Sequence, residues 1–307
     1  MKAVQFDEFG GPEVLEIVEL PDPHPGTGQV RIAVRAAGVN ASDWKKRKGL
    51  MDGDLPQTLG YEAAGVVDEV GEGVADVAVG DRVFGFSDEG AAQAELAVLS
   101  TYAPIPPSLD FSGAAALPAA IETATRSLDR LGVRSGSTLL VNGASGSVGS
   151  AAVQLAGVRG ARVIGTASPA NHEYLRSLGA EPVAYGPGLV GRVRALAPDG
   201  VDAALDVAGS GVLPQLIELA RGAEHVVTIA DFGGAQEHGV TFSSGDAGRA
   251  LHVLAEIGEL IESERFSLPV AQTLPLGEIA TAHRLSEDGH VRGKIVLVIG
   301  PPVSEPG

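Results

Sequence analysis

The residues with the clearest capacity for chemistry are three glycines between a hydrophobic strand and a helix. Gly143, Gly146 and Gly149 stand three apart in LLVNGASGSVGSAAVQLA, residues 139–156. In this pattern the first glycine permits a sharp turn, the second lets the backbone approach a pyrophosphate, and the third lets helix and strand pack closely. The N–H groups of the turn and the helix dipole would then hold the phosphates. We predict that a dinucleotide binds through Gly143, Ala144, Ser145, Gly146, Ser147, Val148 and Gly149.

A glycine triplet alone is equally consistent with a purely structural turn, because the chain contains 42 glycines. Three neighbouring features favour the binding site. A strand precedes the triplet, a helix follows it, and a second strand is predicted at ARVIGTA, as a dinucleotide-binding fold requires.

The end of that second strand indicates which dinucleotide is preferred. A site selective for NAD carries an acid about 20 residues past the first glycine, where it binds the ribose hydroxyls. Residues 166–171 read TASPAN, and the first acid, Glu173, already lies in the next predicted helix. Ser168 and Asn171 can donate hydrogen bonds to a 2′-phosphate that a carboxylate would repel. The sequence therefore favours NADPH, although no arginine is present there to strengthen the preference.

The elements that would position this site change in character along the chain. Up to about residue 105, short alternating strands are separated by glycine, proline and aspartate, which is typical of an antiparallel barrel. After Pro106 and Pro107, strands and helices alternate, which indicates a doubly wound parallel sheet. We predict an α/β protein with two domains, residues 1–115 completed by 265–307, and residues 116–264. KIVLVIG near the end should pair back onto the first domain, and residues 302–307 should be a frayed tail.

Composition excludes several classes of function. The formal charge of −17 disfavours nucleic acid as a partner, because such binding depends on clustered cations. The absence of cysteine excludes disulfides, thiolate zinc sites and a cysteine nucleophile. Seven scattered histidines lack helical i, i+4 spacing, so we expect no bound metal, with a site of carboxylates and histidines from distant segments as the alternative. No stretch approaches the roughly 18 apolar residues of a membrane span and no signal peptide is recognisable, so we predict a cytoplasmic protein without membrane contact.

Six collinear segments carry a resemblance to a known family. The chain resembles the medium-chain dehydrogenase/reductase superfamily and, within it, the quinone oxidoreductase family that includes the zeta-crystallin-like reductases. The resemblance implies a GroES-like β-barrel catalytic domain, a Rossmann domain, hydride transfer from NADPH to a quinone or enone, and a homodimer. The segments are AAGVNASDWKKRKG, LGYEAAGVVDEVGEGV, GDRVFGF, AALPAAIETATRSL, VNGASGSVG and GHVRGKIVLV.

The resemblance also bears on metal use. Zinc alcohol dehydrogenases of the superfamily carry a catalytic cysteine and a histidine in two of these segments, where this chain has Asn40 and Tyr61. Their cysteine-rich structural zinc lobe is missing as well. Both differences imply a zinc-independent reductase.

Further site residues are implied by the same resemblance. Asn40 is expected beside the nicotinamide ribose and the substrate carbonyl, and Thr123 near the carboxamide. Tyr185 is expected to cover the adenosine phosphate or ring, and Lys294 lies where the last strand approaches the cleft. The loops after two later strands are expected to contact ribose and nicotinamide through Val207, Ala208, Ile229 and Ala230.

Each catalytic candidate has a plainer interpretation. Asn40 could cap a turn, and Asp43 is best explained as the N-cap of the short helix that follows. Lys45 could polarise the carbonyl or supply a proton, or it could belong to a solvated basic face with residues 46–48. Tyr61 could react or simply fill space.

Two other functions stay open beside quinone or enone reduction. A biosynthetic enoyl reductase would perform the same chemistry on a pathway intermediate. A non-catalytic role in binding NADPH or RNA is the alternative outside enzymes, and the acidic charge disfavours RNA.

Overall fold

A computed structural model describes residues 1–51, 53–87, 90–245 and 248–300. The predicted tail, residues 302–307, lies outside these ranges. The chain divides into two compact units. The first unit contains Met1–Ala119, Leu254–Glu262 and the described part of Leu268–Gly307. The second contains Ala120–Val253 and Ser263–Ser267.

The strands and helices are numbered here in chain order. The strands are β1 (Lys2–Phe6), β2 (Glu16–Glu19), β3 (Val30–Val39), β4 (Gln57–Thr58), β5 (Glu62–Val70), β6 (Arg82–Phe86), β7 (Leu96–Leu99), β8 (Thr101–Pro104), β9 (Thr138–Asn142), β10 (Arg162–Ala167), β11 (Glu181–Ala184), β12 (Ala203–Asp206), β13 (Val226–Thr228), β14 (Thr241–Phe242), β15 (Val270–Pro275) and β16 (Lys294–Val298). The helices are α1 (Ala41–Arg47), α2 (Phe111–Ala115), α3 (Pro118–Arg130), α4 (Ser147–Val158), α5 (His172–Ser177), α6 (Leu189–Leu196), α7 (Leu213–Ala220), α8 (Phe232–His238), α9 (Val253–Glu262) and α10 (Ile279–Asp288). Short 3-10 helices cover Pro12–Val14, Pro169–Asn171, Ala223–His225 and Leu276–Glu278.

The first unit is built on β-sheets. A seven-stranded sheet has the order β15-β16-β3-β5-β6-β8, with β7 also paired to β3, and β2-β1-β4 form a smaller sheet. Val30, Ile32 and Val34 alternate with partly exposed residues along β3, so one face of this strand packs into the core. The predicted return of the last strand is confirmed, because β16 pairs antiparallel with β3. Only β15 and β16 run parallel within the described pairs of this sheet, which is otherwise antiparallel.

The second unit has the predicted doubly wound sheet. Its strand order is β11-β10-β9-β12-β13-β14, and every described pair is parallel. Buried Leu140, Ile164 and Ala204 from three neighbouring strands pack with helix residues such as Leu216. The order reverses between β9 and β12, and in such sheets ligands bind at the carboxyl ends of the strands at this point. The glycine turn directly follows β9.

Helix α9 was placed in the second domain by the sequence prediction, whereas Leu254–Glu262 group with the first unit. Ser108 accounts for part of this grouping. Its backbone N–H and its hydroxyl both donate to Glu262 Oε1, at 3.1 and 2.7 Å. No helix in the described parts of the chain combines the length and the apolar character that a bilayer crossing needs.

Helix α1 is attached to α10 by a buried arginine. Arg47 is fully buried, donates to Gly10 O at 3.1 Å and pairs with Glu287 at 2.9 Å. The interpretation of residues 46–48 as a solvated basic face is therefore wrong for Arg47. Its guanidinium also lies 3.5 Å from Nδ1 of His283, a buried residue of α10.

The environment of His283 predicts a loss of stability in acid. Burial, and then the charge of Arg47, lower the pKa of His283 to about 3, while Glu287 acts in the opposite direction. Between this value and the ordinary pKa near 6.5, only the unfolded chain binds the proton. The contribution of His283 is therefore complete above pH 6.5 and is lost as the pH falls. Relative to His283→Gln, the parent should lose about 2 kcal/mol of unfolding free energy between pH 7 and pH 5.

Urea unfolding of both proteins at several pH values measures this difference. Parallel curves for parent and variant between pH 7 and pH 5 would contradict the assignment of a neutral, buried imidazole.

Candidate functional site

The three glycines of the turn after β9 meet three different local requirements. Gly143 has a φ of +84°, which favours glycine. A Cβ at Gly149 would lie 2.3 Å from the carbonyl oxygen of Gly143, so only glycine lets α4 approach the turn so closely. A Cβ at Gly146 would be 3.7 Å from its nearest protein atom, Gly143 O. The protein thus leaves space beside Gly146 that it does not use for its own packing.

Helix α4 begins at this open position. Gly146 is its N-cap, with extended backbone, and Ser147, Val148 and Gly149 form the first turn. The N–H groups of a first helical turn have no acceptor within the helix. They and the positive end of the helix dipole form a natural anion site.

The residues proposed for the 2′-phosphate lie together. Asn171 Nδ2 is 3.4 Å from both Ser145 Oγ and Ser168 Oγ. Three short polar side chains thus converge beside the glycine turn. Tyr185, directly after β11, is 59% exposed, and its loop is held by Arg192, which donates to four carbonyls, those of Ala184, Tyr185, Gly186 and Pro187.

The loops after β12 and β13 are held by internal hydrogen bonds. The N–H groups of Val207 and Ile229 donate to Asn142 O and Asp206 O, each at 3.0 Å. Those of Ala208 and Ala230 also have internal acceptors, which are side chains. Any contact from these four residues to a ligand must therefore use carbonyls or side chains.

Thr123 lies in a buried polar cluster of α3. Its Oγ1 is 3.3 Å from Glu122 Oε2 and 3.4 Å from a guanidinium nitrogen of Arg126. The role of Thr123 near a carboxamide stays a prediction.

In the first unit, Asn40 joins a buried ion pair. Lys294 is 2% exposed and Glu62 is fully buried, and Lys294 Nζ lies 2.5 Å from Glu62 Oε1. Asn40 Nδ2 donates to the same carboxylate oxygen at 2.7 Å, while Asn40 Oδ1 accepts from Lys294 Nζ at 2.5 Å. The second oxygen of Glu62 accepts from the N–H of Ala119 at 2.6 Å. The amide of Asn40 is therefore fixed in one orientation.

Asn40, not Asp43, stands at the N-cap of α1, so the prediction for Asp43 is wrong. Asp43 is the third residue of the helix, and its carboxylate accepts from the backbone N–H of Asn40 at 2.8 Å and from Gln93 Nε2 at 3.1 Å. Burial raises the pKa of Asp43 to about 7, although the Asn40 hydrogen bond and the charge of Lys294 oppose it. The side chain of Asn40 remains bound to Glu62 and Lys294.

Tyr61 and Asp43 line one cavity of about 300 Å³ in the first unit, together with Lys46 and Gln57. The Tyr61 ring stacks on Phe86, with centroids 6.3 Å apart, and Ser42 Oγ donates to its hydroxyl at 3.3 Å. Lys45 lies outside this lining, with its Nζ 5.7 Å from the centre of the Trp44 ring. The ring of Tyr61 is therefore held by Phe86, while its hydroxyl is held by Ser42.

No three His, Asp or Glu side chains come together as metal ligands among residues 1–51, 53–87, 90–245 and 248–300. The sequence prediction missed Gln93, which donates to Asp43 in the first unit. It also missed three side chains that hold loops or each other in the second unit, namely Asn142, Asp206 and Thr228. The one local signal was an acid, Asp206, that ends the otherwise apolar strand AALD.

Two family models match this chain. The alcohol dehydrogenase GroES-like domain matches residues 26–114, and the zinc-binding dehydrogenase model matches residues 178–297. These matches agree with the β-rich first unit and the parallel sheet of the second.

Individual proteins match over nearly the whole chain. The NADPH-dependent alkenal/one oxidoreductase of Arabidopsis thaliana chloroplasts is 33% identical over 97% of this chain and 79% of its own. The structure of the quinone oxidoreductase from Coxiella burnetii is 33% identical with a TM-score of 0.85, covering 98% of this chain and 99% of its own. NorB, a spectinabilin polyketide synthase system protein of Streptomyces orinoci, is 35% identical over 97% of this chain. The chain spans only 14% of the length of NorB.

The chain therefore belongs to the quinone oxidoreductase family of the medium-chain dehydrogenase/reductase superfamily. The predictions of family and of α/β fold class are confirmed.

Proposed function

We propose that this chain is an NADPH-dependent oxidoreductase that transfers hydride, without a metal, to a quinone or an α,β-unsaturated carbonyl compound. The observation that carries the proposal is the glycine turn at the point where the strand order reverses, with unused space beside Gly146. The names of the Arabidopsis and Coxiella relatives support a redox reaction on such acceptors.

The residues present fit the cofactor. The open side of Gly146 and the first-turn N–H groups of α4 suit a pyrophosphate. Ser145, Ser168 and Asn171 offer hydrogen-bond donors without a carboxylate, which suits a 2′-phosphate. In a titration, NADPH should therefore bind more tightly than NADH, and equal affinities would contradict this choice.

Bound NADPH would supply a hydride to an electron-poor carbon, and the electron pair displaced onto the acceptor oxygen would need hydrogen-bond donors. The two internal bonds of Asn40 leave one Nδ2 hydrogen and one Oδ1 lone pair free of Glu62 and Lys294. Asn40 can therefore donate to an acceptor oxygen or accept from a ribose hydroxyl. Tyr61 holds a proton at its hydroxyl on the cavity wall, and Lys45 remains a proposed second donor.

The test of this function is a screen of NADPH oxidation against quinones, short enones and carrier-bound enoyl groups. We expect turnover of quinones or short enones that survives dialysis against a strong chelator, because Asn40 and Tyr61 replace the metal ligands of zinc relatives. Activity that disappears with a stoichiometric metal would overturn metal independence. NADPH binding without turnover of any acceptor would favour the non-catalytic role.

Gly146→Val tests the cofactor site itself. The side chain would fill the space beside the turn, so the Kd for NADPH should rise by about a hundredfold, or roughly 3 kcal/mol. The melting temperature should fall by only a few degrees, because the added Cβ lies 3.7 Å from its nearest protein atom and the main cost is the lower preference for valine at a helix N-cap. Isothermal titration with NADPH measures the change.

Gly157→Val is the matched control in the same helix, since a Cβ at Gly157 meets nothing within 4 Å. Its NADPH affinity should equal that of the parent. If Gly146→Val also bound NADPH as the parent does, the pyrophosphate would have to lie elsewhere.

A biosynthetic enoyl reductase is the second candidate, supported by the 35% identity to part of NorB, a polyketide synthase system protein. Turnover restricted to carrier-bound enoyl groups would favour it. We also propose a cytoplasmic homodimer that binds no nucleic acid, in keeping with the formal charge of −17.

A further inference from the structure

Four buried polar side chains stand in a row across the carboxyl ends of neighbouring parallel strands. Asn142 ends β9, Asp206 ends β12, Thr228 ends β13, and Thr166 lies next to the end of β10. Each is at most 4% exposed. The strand register places Asp206 opposite both Asn142 and Thr228. We call these four residues the strand-end chain.

Hydrogen bonds join the members of the strand-end chain without interruption. Thr166 Oγ1 donates to Asn142 Oδ1 at 2.7 Å, and Asn142 Nδ2 donates to Asp206 Oδ1 at 2.9 Å. Thr228 Oγ1 donates to Asp206 Oδ2 at 2.8 Å. Because all four side chains are buried, water does not readily replace a hydrogen bond that is lost here, and the unpaired group lowers stability.

Three members of the strand-end chain also hold a loop. Thr166 Oγ1 accepts from the N–H of Gly143 at 3.0 Å, which fixes the start of the glycine turn. Asp206 Oδ1 accepts from the N–H groups of Ala208 and Gly209 at 3.1 and 2.9 Å.

Thr228 Oγ1 holds the third loop in the same way. It accepts from the N–H groups of Ala230 and Asp231 at 3.1 and 3.2 Å. One connected set of bonds therefore links the three loops that the proposed function assigns to the dinucleotide.

We propose that Asp206 and Thr228 are positioning residues for the nicotinamide half of the dinucleotide. They hold the loops after β12 and β13 in the binding conformation without touching the ligand themselves. This inference rests on the proposed function of the site. The loops involved follow β12 and β13, whereas the residues proposed for the adenosine half lie at the glycine turn and after β10.

That separation gives a test with two ligands. Thr228→Val keeps the shape of the side chain but removes one donor to Asp206 and the acceptor for two loop N–H groups. The Kd for NADPH should rise about tenfold, whereas the Kd for adenosine 2′,5′-bisphosphate, which lacks the nicotinamide half, should change by less than about twofold. Isothermal titration at one pH and salt concentration measures both.

Asp206→Asn tests the same positioning role by changing the carboxylate that accepts from Thr228. An amide oxygen at the Oδ1 position can keep its three donors, Asn142 Nδ2 and the N–H groups of Ala208 and Gly209. The amide nitrogen then replaces the acceptor of Thr228, so the loop after β13 should loosen. This variant should also raise the Kd for NADPH selectively.

Two variants serve as controls. Thr228→Ser retains the hydroxyl and should bind both ligands as the parent does, which separates the bonds from the fold. Ser168→Ala should weaken both ligands by the same factor, because its proposed contact is to the 2′-phosphate that they share.

The outcomes distinguish this inference from the proposed function. Equal weakening of both ligands by Thr228→Val, or no weakening of NADPH in folded variants, would overturn the positioning role alone. A parent that binds neither ligand would overturn the proposed function and this inference with it.

Discussion

Lys294→Met should lower the free energy of unfolding by about 3–5 kcal/mol, because it leaves the carboxylate of Glu62 buried without its cation. Both residues are at most 2% exposed, and Nζ lies 2.5 Å from Oε1, so water cannot take the place of the ammonium group. Asn40 Oδ1 would lose its donor in the same variant. Urea unfolding of parent and variant at pH 7 measures the loss.

The control for burial is Lys48→Met. Lys48 also pairs with a carboxylate, that of Glu287, but its side chain is 37% exposed. Exposed pairs typically contribute about 1 kcal/mol or less. If Lys48→Met and Lys294→Met lowered the free energy of unfolding equally, burial of the Lys294–Glu62 pair would have no effect on stability.

A double variant, Glu62→Gln with Lys294→Met, should recover most of the loss. Without the lysine, a flipped Asn40 amide can accept from the new glutamine, and neither position 62 nor position 294 then carries a buried charge. A double variant no more stable than Lys294→Met alone would point to packing of the lysine stem rather than to its charge.

Among substitutions that add one methyl group in the glycine turn, Gly149→Ala should lower the stability of the protein most. Its Cβ would lie 2.3 Å from Gly143 O and 2.7 Å from Ala144 Cα, which are backbone atoms that cannot rotate away. Overpacking costs about 1–3 kcal/mol, and contacts with two backbone atoms place Gly149→Ala at the upper end of this range, above the gain of about 1 kcal/mol from replacing a helical glycine by alanine. The melting temperature and urea midpoint should both fall.

Gly157→Ala, near the other end of α4, is the matched comparison. Its Cβ would be in open space, so only the helical preference acts and stability should rise by up to about 1 kcal/mol. Opposite signs at the two positions are therefore expected within one helix. If both substitutions stabilised the protein, the close approach of α4 to the turn would not limit stability.

Helices and strands with strong local patterns were predictable from the sequence alone. The predicted helix SVGSAAVQLAGV coincides with α4, and the predicted strand STLLVN contains β9 and one further residue, Ser137, because the hydrophobic patterns and glycine boundaries are strong. Helix α6 was missed, since it is short and begins directly after Gly186 and Gly188. Strand β8 was missed because a single residue, Ser100, separates it from β7.

The site showed the same limit. The sequence indicated Asn40 and the glycines, which belong to local motifs. It did not reveal that Lys294 meets Asn40 across 254 positions of the chain, or that Arg47 is buried against α10. Such contacts depend on how distant strands and helices pair, which no local pattern records.

The pairing of β16 with β3 affects the order in which the two units can finish folding during synthesis. Asn40 and Glu62 leave the ribosome well before Lys294, which follows them by more than 200 positions. Domains generally fold as units during synthesis, the earlier ones first. Here the first unit is completed only after the second, and until β16 is made the carboxylate of Glu62 has no cation. A nascent chain stalled before β16 should therefore show a protease-resistant second unit and a protease-sensitive first one.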